Sequence, residues 1–174
     1  MAQLPPPYSA DDIIFLAHIG ERQLASSADT VAHPDLLEVA EHDGTSDEML
    51  VRHVRTLESG RLLEVKRTAG GTELGSIYFV KLTRAGWRRY LENMPGLQEN
   101  WEACLNAAVA SIPQHHTQDM GILASTAGVP FSYAEPHFQT LRAQGHITIK
   151  SGSYVGDVSD QLRAATATGE GESS

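Results

Sequence analysis

The chain has 174 residues, 41% of them hydrophobic and 20% charged, with a formal net charge of -9, enough for one ordinary domain or two small ones around a buried core. No apolar run approaches the roughly 20 residues of a membrane-spanning helix, and the opening MAQLPPPYSADD lacks the basic-then-apolar order of a signal peptide, so the expectation is a cytoplasmic protein with no membrane partner. The single cysteine, Cys104, excludes an internal disulfide and, without a second thiol, argues against a zinc finger; it reads as a core residue.

In chain order, residues 1–9 hold Pro5, Pro6 and Pro7 and read as an extended tail. From Ser9, SADDIIFLAHIGERQLA has a serine cap, acids in its first turn and Ile13, Leu16 and Ala17 at helical spacing. HPDLLEVAEHDG follows as a short second helix, with Pro34 near its start, Gly44 after its end and Leu36, Leu37, Val39 and Ala40 as its apolar face. Thr45 and Glu48 have capping-box spacing, and Leu50, Val54 and Leu57 then recur at i, i+4, i+7, so a third helix runs to about Ser59 and ends at Gly60. RLLEVKR and SIYFVKL are strand-like segments joined by TAGGTELG, a long hairpin loop, and LTRAGWRRYLEN resumes as a helix. Three helices, a strand, a loop, a strand and a helix form the order of a winged helix-turn-helix domain over residues 10–93.

After NMPG the pattern starts again. Trp101, Cys104, Leu105, Ala108, Val109 and Ile112 make one helical stripe of ordinary core spacing. The stretch from Asp119 to Ile149 reads as helix, turn at Gly128, helix, Gly145, strand; Pro136 leaves two possible starts for its second helix, a Ser132/Glu135 capping box or Pro136 as the first helical residue. KSGS is a short turn, giving a second winged domain over residues 97–163 with a smaller wing, and residues 164–174 read as a disordered tail. The two halves repeat: TLESGRLLEVKR (56–67) and TLRAQGHITIKS (140–151) each carry a helix into a glycine and out as a strand, and Leu57 and Leu141 lie 84 positions apart.

Charge divides unevenly along this plan. Residues 1–50 sum to -9 and residues 91–174 to -6, while residues 51–90 carry nine bases against Glu58, Glu64 and Glu73, a local +6. A basic block inside an acidic chain is the footprint of a polyanion site; its bland counterpart is a solvated helix face. With Leu50, Val54 and Leu57 turned inward, Arg52 and Arg55 face out one turn apart, Lys66 and Arg67 stand at the wing's base, and Arg84, Arg88 and Arg89 crowd the next helix. The first two are the candidate base readers and the other five the candidate phosphate clamps. The corresponding helix of the second half offers His137, Gln139, Thr140 and Gln144 with Arg142 as its one charge, a face better suited to a protein partner or a homodimer.

Catalytic and metal signatures are absent from the sequence. His115, His116 and Asp119 in PQHHTQD could supply two metal ligands, but a site needs three or four and the segment reads as a loop. TAGGTELG lacks the Lys-Ser/Thr of a phosphate loop, and no Gly-x-Ser-x-Gly elbow occurs. The expectation is no enzyme, no cofactor and no metal.

LASTAGVPFSYAEPHFQTLRAQGHI resembles the helix-turn-helix of bacterial winged-helix regulators, and LVRHVRTLESGRLLEV with LTRAGWRRYL resembles the third helix and closing segment of MarR-like and PadR-like regulators. The resemblance implies an α+β fold, mainly α with small β-hairpins, built as two winged helix-turn-helix domains in tandem. It implies a transcriptional regulator that places the first domain's third helix in the major groove of double-stranded DNA. The chain departs from such regulators in its acidity and in TSDE, which sets Asp47 and Glu48 where that helix would approach DNA. The alternative expectation is an acidic tandem winged-helix adaptor that binds protein partners only, of a chromosome-segregation or phage and plasmid accessory kind.

Overall fold

The computed structural model describes residues 8–26 and 28–170, and the chain divides into two compact units, residues 1–93 and 94–174. It is an α+β protein, largely helical, with two small antiparallel three-stranded sheets, one in each unit.

The first unit opens with α1 (Ala10–Ala25), whose Ser9 cap and Asp12 form a reciprocal capping box. Its buried face is Asp12, Phe15, Leu16, Ile19, Gly20 and Gln23, so the inward stripe is rotated from the Ile13, Leu16, Ala17 spacing read from sequence; Ile13 and Ala17 are only half-buried. A two-residue strand, β1 (Val31–Ala32), leads into α2 (His33–His42), which buries Leu36 and Ala40 and leaves Leu37 exposed. α3 (Asp47–Ser59) is capped by Ser46, whose hydroxyl accepts from the Met49 amide, and not by Thr45. It buries Leu50, His53, Val54 and Leu57. β2 (Leu63–Arg67) and β3 (Ile77–Leu82) pair with Leu63 opposite Leu82 and Val65 opposite Val80, and β1 adds to the far side of β3. The loop between them contains one helical turn, α4 (Glu73–Ser76), capped by Thr72. α5 (Arg84–Leu91), capped by Thr83, packs Trp87, Tyr90 and Leu91 inward against α1 and β3. Gly86 is required where it stands: a β-carbon there would lie 2.1 Å from the Leu62 carbonyl oxygen.

The second unit repeats the plan with α6 (Leu97–Ala110), β4 (Gln118–Asp119), α7 (Met120–Ala127), α8 (Phe131–Ala143), β5 (Thr148–Lys150), β6 (Tyr154–Gly156) and α9 (Asp160–Glu170). Its sheet order β4-β6-β5 matches β1-β3-β2 of the first unit. Three expectations are corrected here. α8 starts at Phe131 behind Pro130, so Pro136 lies inside the helix, neither capped ahead nor first in line. Residues 164–170 belong to α9, which is tied down by Leu162, 6% exposed, and by Arg163, whose guanidinium donates to the Ala110 and Ile112 carbonyls at 2.7 Å each. Cys104 is half-buried on α6, beside the core stripe of Trp101, Leu105, Ala108 and Val109. The Pro-rich segment 1–7 and residues 171–174 lie outside the described residues, while Ser9 caps α1 as its sequence predicts.

The repeat is real at the level of hydrogen bonds. The Leu57 carbonyl accepts from Leu62 and the Leu141 carbonyl accepts from His146, each at 2.9 Å, with Leu57 and Leu141 both in the core. In this register Gly145 (φ 78) corresponds to Arg61 (φ 60), and Gly60 (φ -79) corresponds to Gln144. The left-handed residue that closes the helix is therefore glycine in one unit and arginine in the other. At Gly60, whose φ is ordinary, a β-carbon would meet only the Tyr8 ring and hydroxyl, the far end of a side chain that can turn aside.

Candidate nucleic-acid interface

α3 is oriented by its buried stripe, which turns Glu48, Arg52, Arg55 and Ser59 to solvent. The fold brings the start and middle of this face beside the loop carrying α4. Together they form a groove of about 650 Å³ lined by Asp47, Glu48, Val51, Arg52, Arg55, Thr56, Thr72 and Leu74. The groove is mixed in charge, acidic at the N-terminal end of α3 and basic one to two turns on.

The seven bases expected to contact a polyanion fall into distinct states. Arg52 and Lys66 are exposed and, among the described residues, hold no ion pair; Arg88 on α5 is the same. Arg55 is forked by Glu73 of α4 through both Nε and a terminal nitrogen. Arg67 is forked by Glu58 with two bonds of 2.7 Å, and this hydrogen bonding raises the Arg67 pKa above its ordinary value. Arg89 pairs with Glu92 at 3.1 Å. Arg84 is half-buried, and its Nε has no hydrogen-bond partner among the described residues. Lys81 also lies near a carboxylate, 3.8 Å from Glu64, so all three acids of the basic block are spent on its own bases. Arg84, Arg88 and Arg89 sit on α5, which packs against α1 and β3, whereas α3 packs against α1, β2 and α4.

Two polar features escaped the sequence reading. His53 shares the inward face of α3, and its Nδ1 lies 2.6 Å from Asp12 Oδ1 while its ring stacks on Phe15 at 5.2 Å. Burial acts to raise the Asp12 pKa, but the hydrogen bonds from His53 and Ser9 outweigh it and hold the carboxyl below its ordinary value. The signal was present, since position 53 is three residues after Leu50 and beside Val54. Gln23 is 1% exposed and joins α1 to the turn that follows it and to β3: its amide donates to the Asp29 carbonyl and carboxylate at 3.0 Å and accepts from the Leu82 amide at 2.8 Å.

In the second unit, His137 Nε2 lies 2.8 Å from Asn106 Oδ1 and the Tyr133 hydroxyl donates to Glu102 at 2.9 Å, so α8 spends these groups on α6. Gln139, Arg142 and Gln144 remain exposed. Asp119 is occupied as the cap of α7, accepting from Gly121 and Ile122. No group of three or more His, Cys, Asp and Glu side chains that could hold a metal occurs among the described residues, and no helix among them is long and apolar enough to cross a membrane. Comparison of the chain with protein-family models, with curated proteins and with solved structures finds no match.

Proposed function

We propose that the chain is a DNA-binding regulator made of two winged helix-turn-helix domains in tandem, resembling MarR-like and PadR-like proteins and acting in the cytoplasm. In this reading α3 and the β2–β3 wing of the first domain grip duplex DNA, and the second domain arranges a dimer or a protein partner. The observation that carries it is the repeated order of elements with matching sheet order, combined with Arg52 on α3 and Lys66 on β2, both exposed and without an ion pair among the described residues. An exposed arginine on such a helix can fork a guanine edge, and a lysine on the wing can hold phosphate. Arg67 and Arg55 join as contacts where phosphate displaces Glu58 and Glu73; Arg84, Arg88 and Arg89 are flanking phosphate contacts. Arg61 adds a further exposed base at the end of α3, unpaired among the described residues. The reading assigns the chain binding and no catalysis.

A second reading is favoured by the pairing itself. Four bases of the block already face carboxylates, and Asp47 and Glu48 line the groove, as suits an adaptor that docks a protein segment there. Electrophoretic binding to random duplex DNA at two salt concentrations separates the two. The regulator reading expects binding that weakens steeply with salt, and Lys66→Ala lowering the slope by about 0.9. Absence of salt-sensitive binding by the intact chain transfers the assignment to the adaptor.

A further inference from the structure

We infer that the helical turn in the wing loop is an acidic latch that holds the α3 face closed, with Glu73 occupying the place on Arg55 that a phosphodiester takes when duplex DNA binds; this rests on the DNA-binding reading above. The latch is local and complete. Glu73 is the first residue of α4, fixed by the Thr72 hydroxyl, which accepts from the Gly75 amide at 3.1 Å, and it meets Arg55 with both carboxylate oxygens. Thr72 and Leu74 flank it and line the groove opposite Val51, Arg52 and Thr56, so the turn covers part of the face where a base edge or a phosphate would lie.

The loop is built to move as a unit. Its base is clamped where the Thr68 amide donates to the Ser76 carbonyl at 2.7 Å, and its tip holds Gly70 and Gly71 at φ 86 and 88 in open space. Paired left-handed glycines give the segment ahead of Thr72 a freedom that side-chain-bearing residues lack. The pair is weak enough to open: the Arg55 side chain is 64% exposed and that of Glu73 36%, and ion pairs of that exposure contribute little in water. A polyanion offers Arg55 the same forked oxygen geometry together with the gain of counterion release, which a lone carboxylate does not provide. Glu58 on Arg67 differs, because it lies on α3 itself and no loop motion withdraws it.

The test is duplex affinity of the full chain at several salt concentrations for wild type, Glu73→Gln and the double variant Glu73→Gln/Arg55→Gln. The latch expects Glu73→Gln to tighten binding by about two- to fivefold and to steepen the salt slope by about 0.9, with both gains lost in the double variant. Amide hydrogen exchange across residues 72–76 of the free protein should quicken in Glu73→Gln, reporting release of the turn without any DNA. Salt-sensitive binding by wild type that Glu73→Gln leaves unchanged overturns the latch and leaves the DNA reading standing. Failure of wild type and Glu73→Gln alike to bind duplex overturns the DNA reading and the latch with it.

Discussion

Asp12 carries two duties with one carboxylate: one oxygen accepts from the Ser9 amide and the other meets His53, so the cap of α1 and the inner face of α3 share a buried acid. Its pKa is lowered from the ordinary 3.8, burial opposing the shift and the hydrogen bonds from His53 and Ser9 deciding it. The sign follows by linkage. The stabilisation is fully present above the unfolded value and is lost as pH falls through the lower folded value. Urea unfolding monitored at Trp87, in a Trp101→Phe background, should show wild type above Asp12→Asn near neutrality, with the gap closing below about pH 4. A gap that stays constant into acid means that Asp12 is not held as an anion. Arg61 makes the opposite case, a residue that costs stability. Its left-handed backbone is held at a position where the second unit has glycine, and a side chain there is disfavoured by about 1 kcal/mol. Arg61→Gly should therefore raise the unfolding free energy of the first unit by about 0.5–1 kcal/mol and, on the DNA-binding reading, weaken duplex binding. Stabilisation with unchanged affinity removes Arg61 from the proposed interface.

At the scale of elements, what could be read from sequence was whatever depends on neighbours three or four residues away. The Ser9 cap, the Leu50, Val54, Leu57 stripe and the turn at Gly128 all have local signatures, and the structure places helices and a left-handed residue there. The strands β1 and β4 are two residues each, too short for any alternation, and exist because β3 and β6 offer them an edge. α9 was missed for the same reason in reverse. Its threonines and glycine read as a tail, yet Arg163 and Leu162 fix it to the end of α6 through contacts some 50 residues distant in sequence. The Arg163 guanidinium satisfies two carbonyls, one on the last residue of α6 and one just beyond it, so Arg163→Met should cost about 1–3 kcal/mol in the second unit. A calorimetric midpoint unmoved by that change would return α9 to the status of a tail. The candidate interface is split in the same way. Periodicity shows which bases of α3 face out, but the pairing of Arg55 with Glu73 and of Arg67 on β2 with Glu58 on α3 depends on a loop turn and a strand brought back beside the helix, and no spacing rule announces that.

For the whole molecule, two units with matching order of elements raise the question of whether they stand as one cooperative body or two. Each has its own core, one around Trp87, Leu57 and Phe15 and the other around Trp101, Leu141 and Phe138, and the division falls between Asn93 and Met94 beside Pro95 and Gly96. Leu57 and Leu141 are equivalent probes, both buried and both closing a helix with the same 2.9 Å bond from the residue five positions on. Truncating a buried leucine removes its transfer energy and leaves a cavity, so Leu57→Ala and Leu141→Ala should each cost about 2–5 kcal/mol. The informative quantity is where the cost appears. With Trp87 and Trp101 each reporting from a background in which the other is phenylalanine, Leu57→Ala should lower only the transition seen at Trp87, and Leu141→Ala only that seen at Trp101. If either substitution lowers both transitions together, the chain unfolds as one body and the second half is a structural partner of the first. If they separate, the DNA-binding reading proposed above expects duplex binding to survive Leu141→Ala at temperatures where the second unit has already melted, which would assign the proposed grip to the first unit by itself.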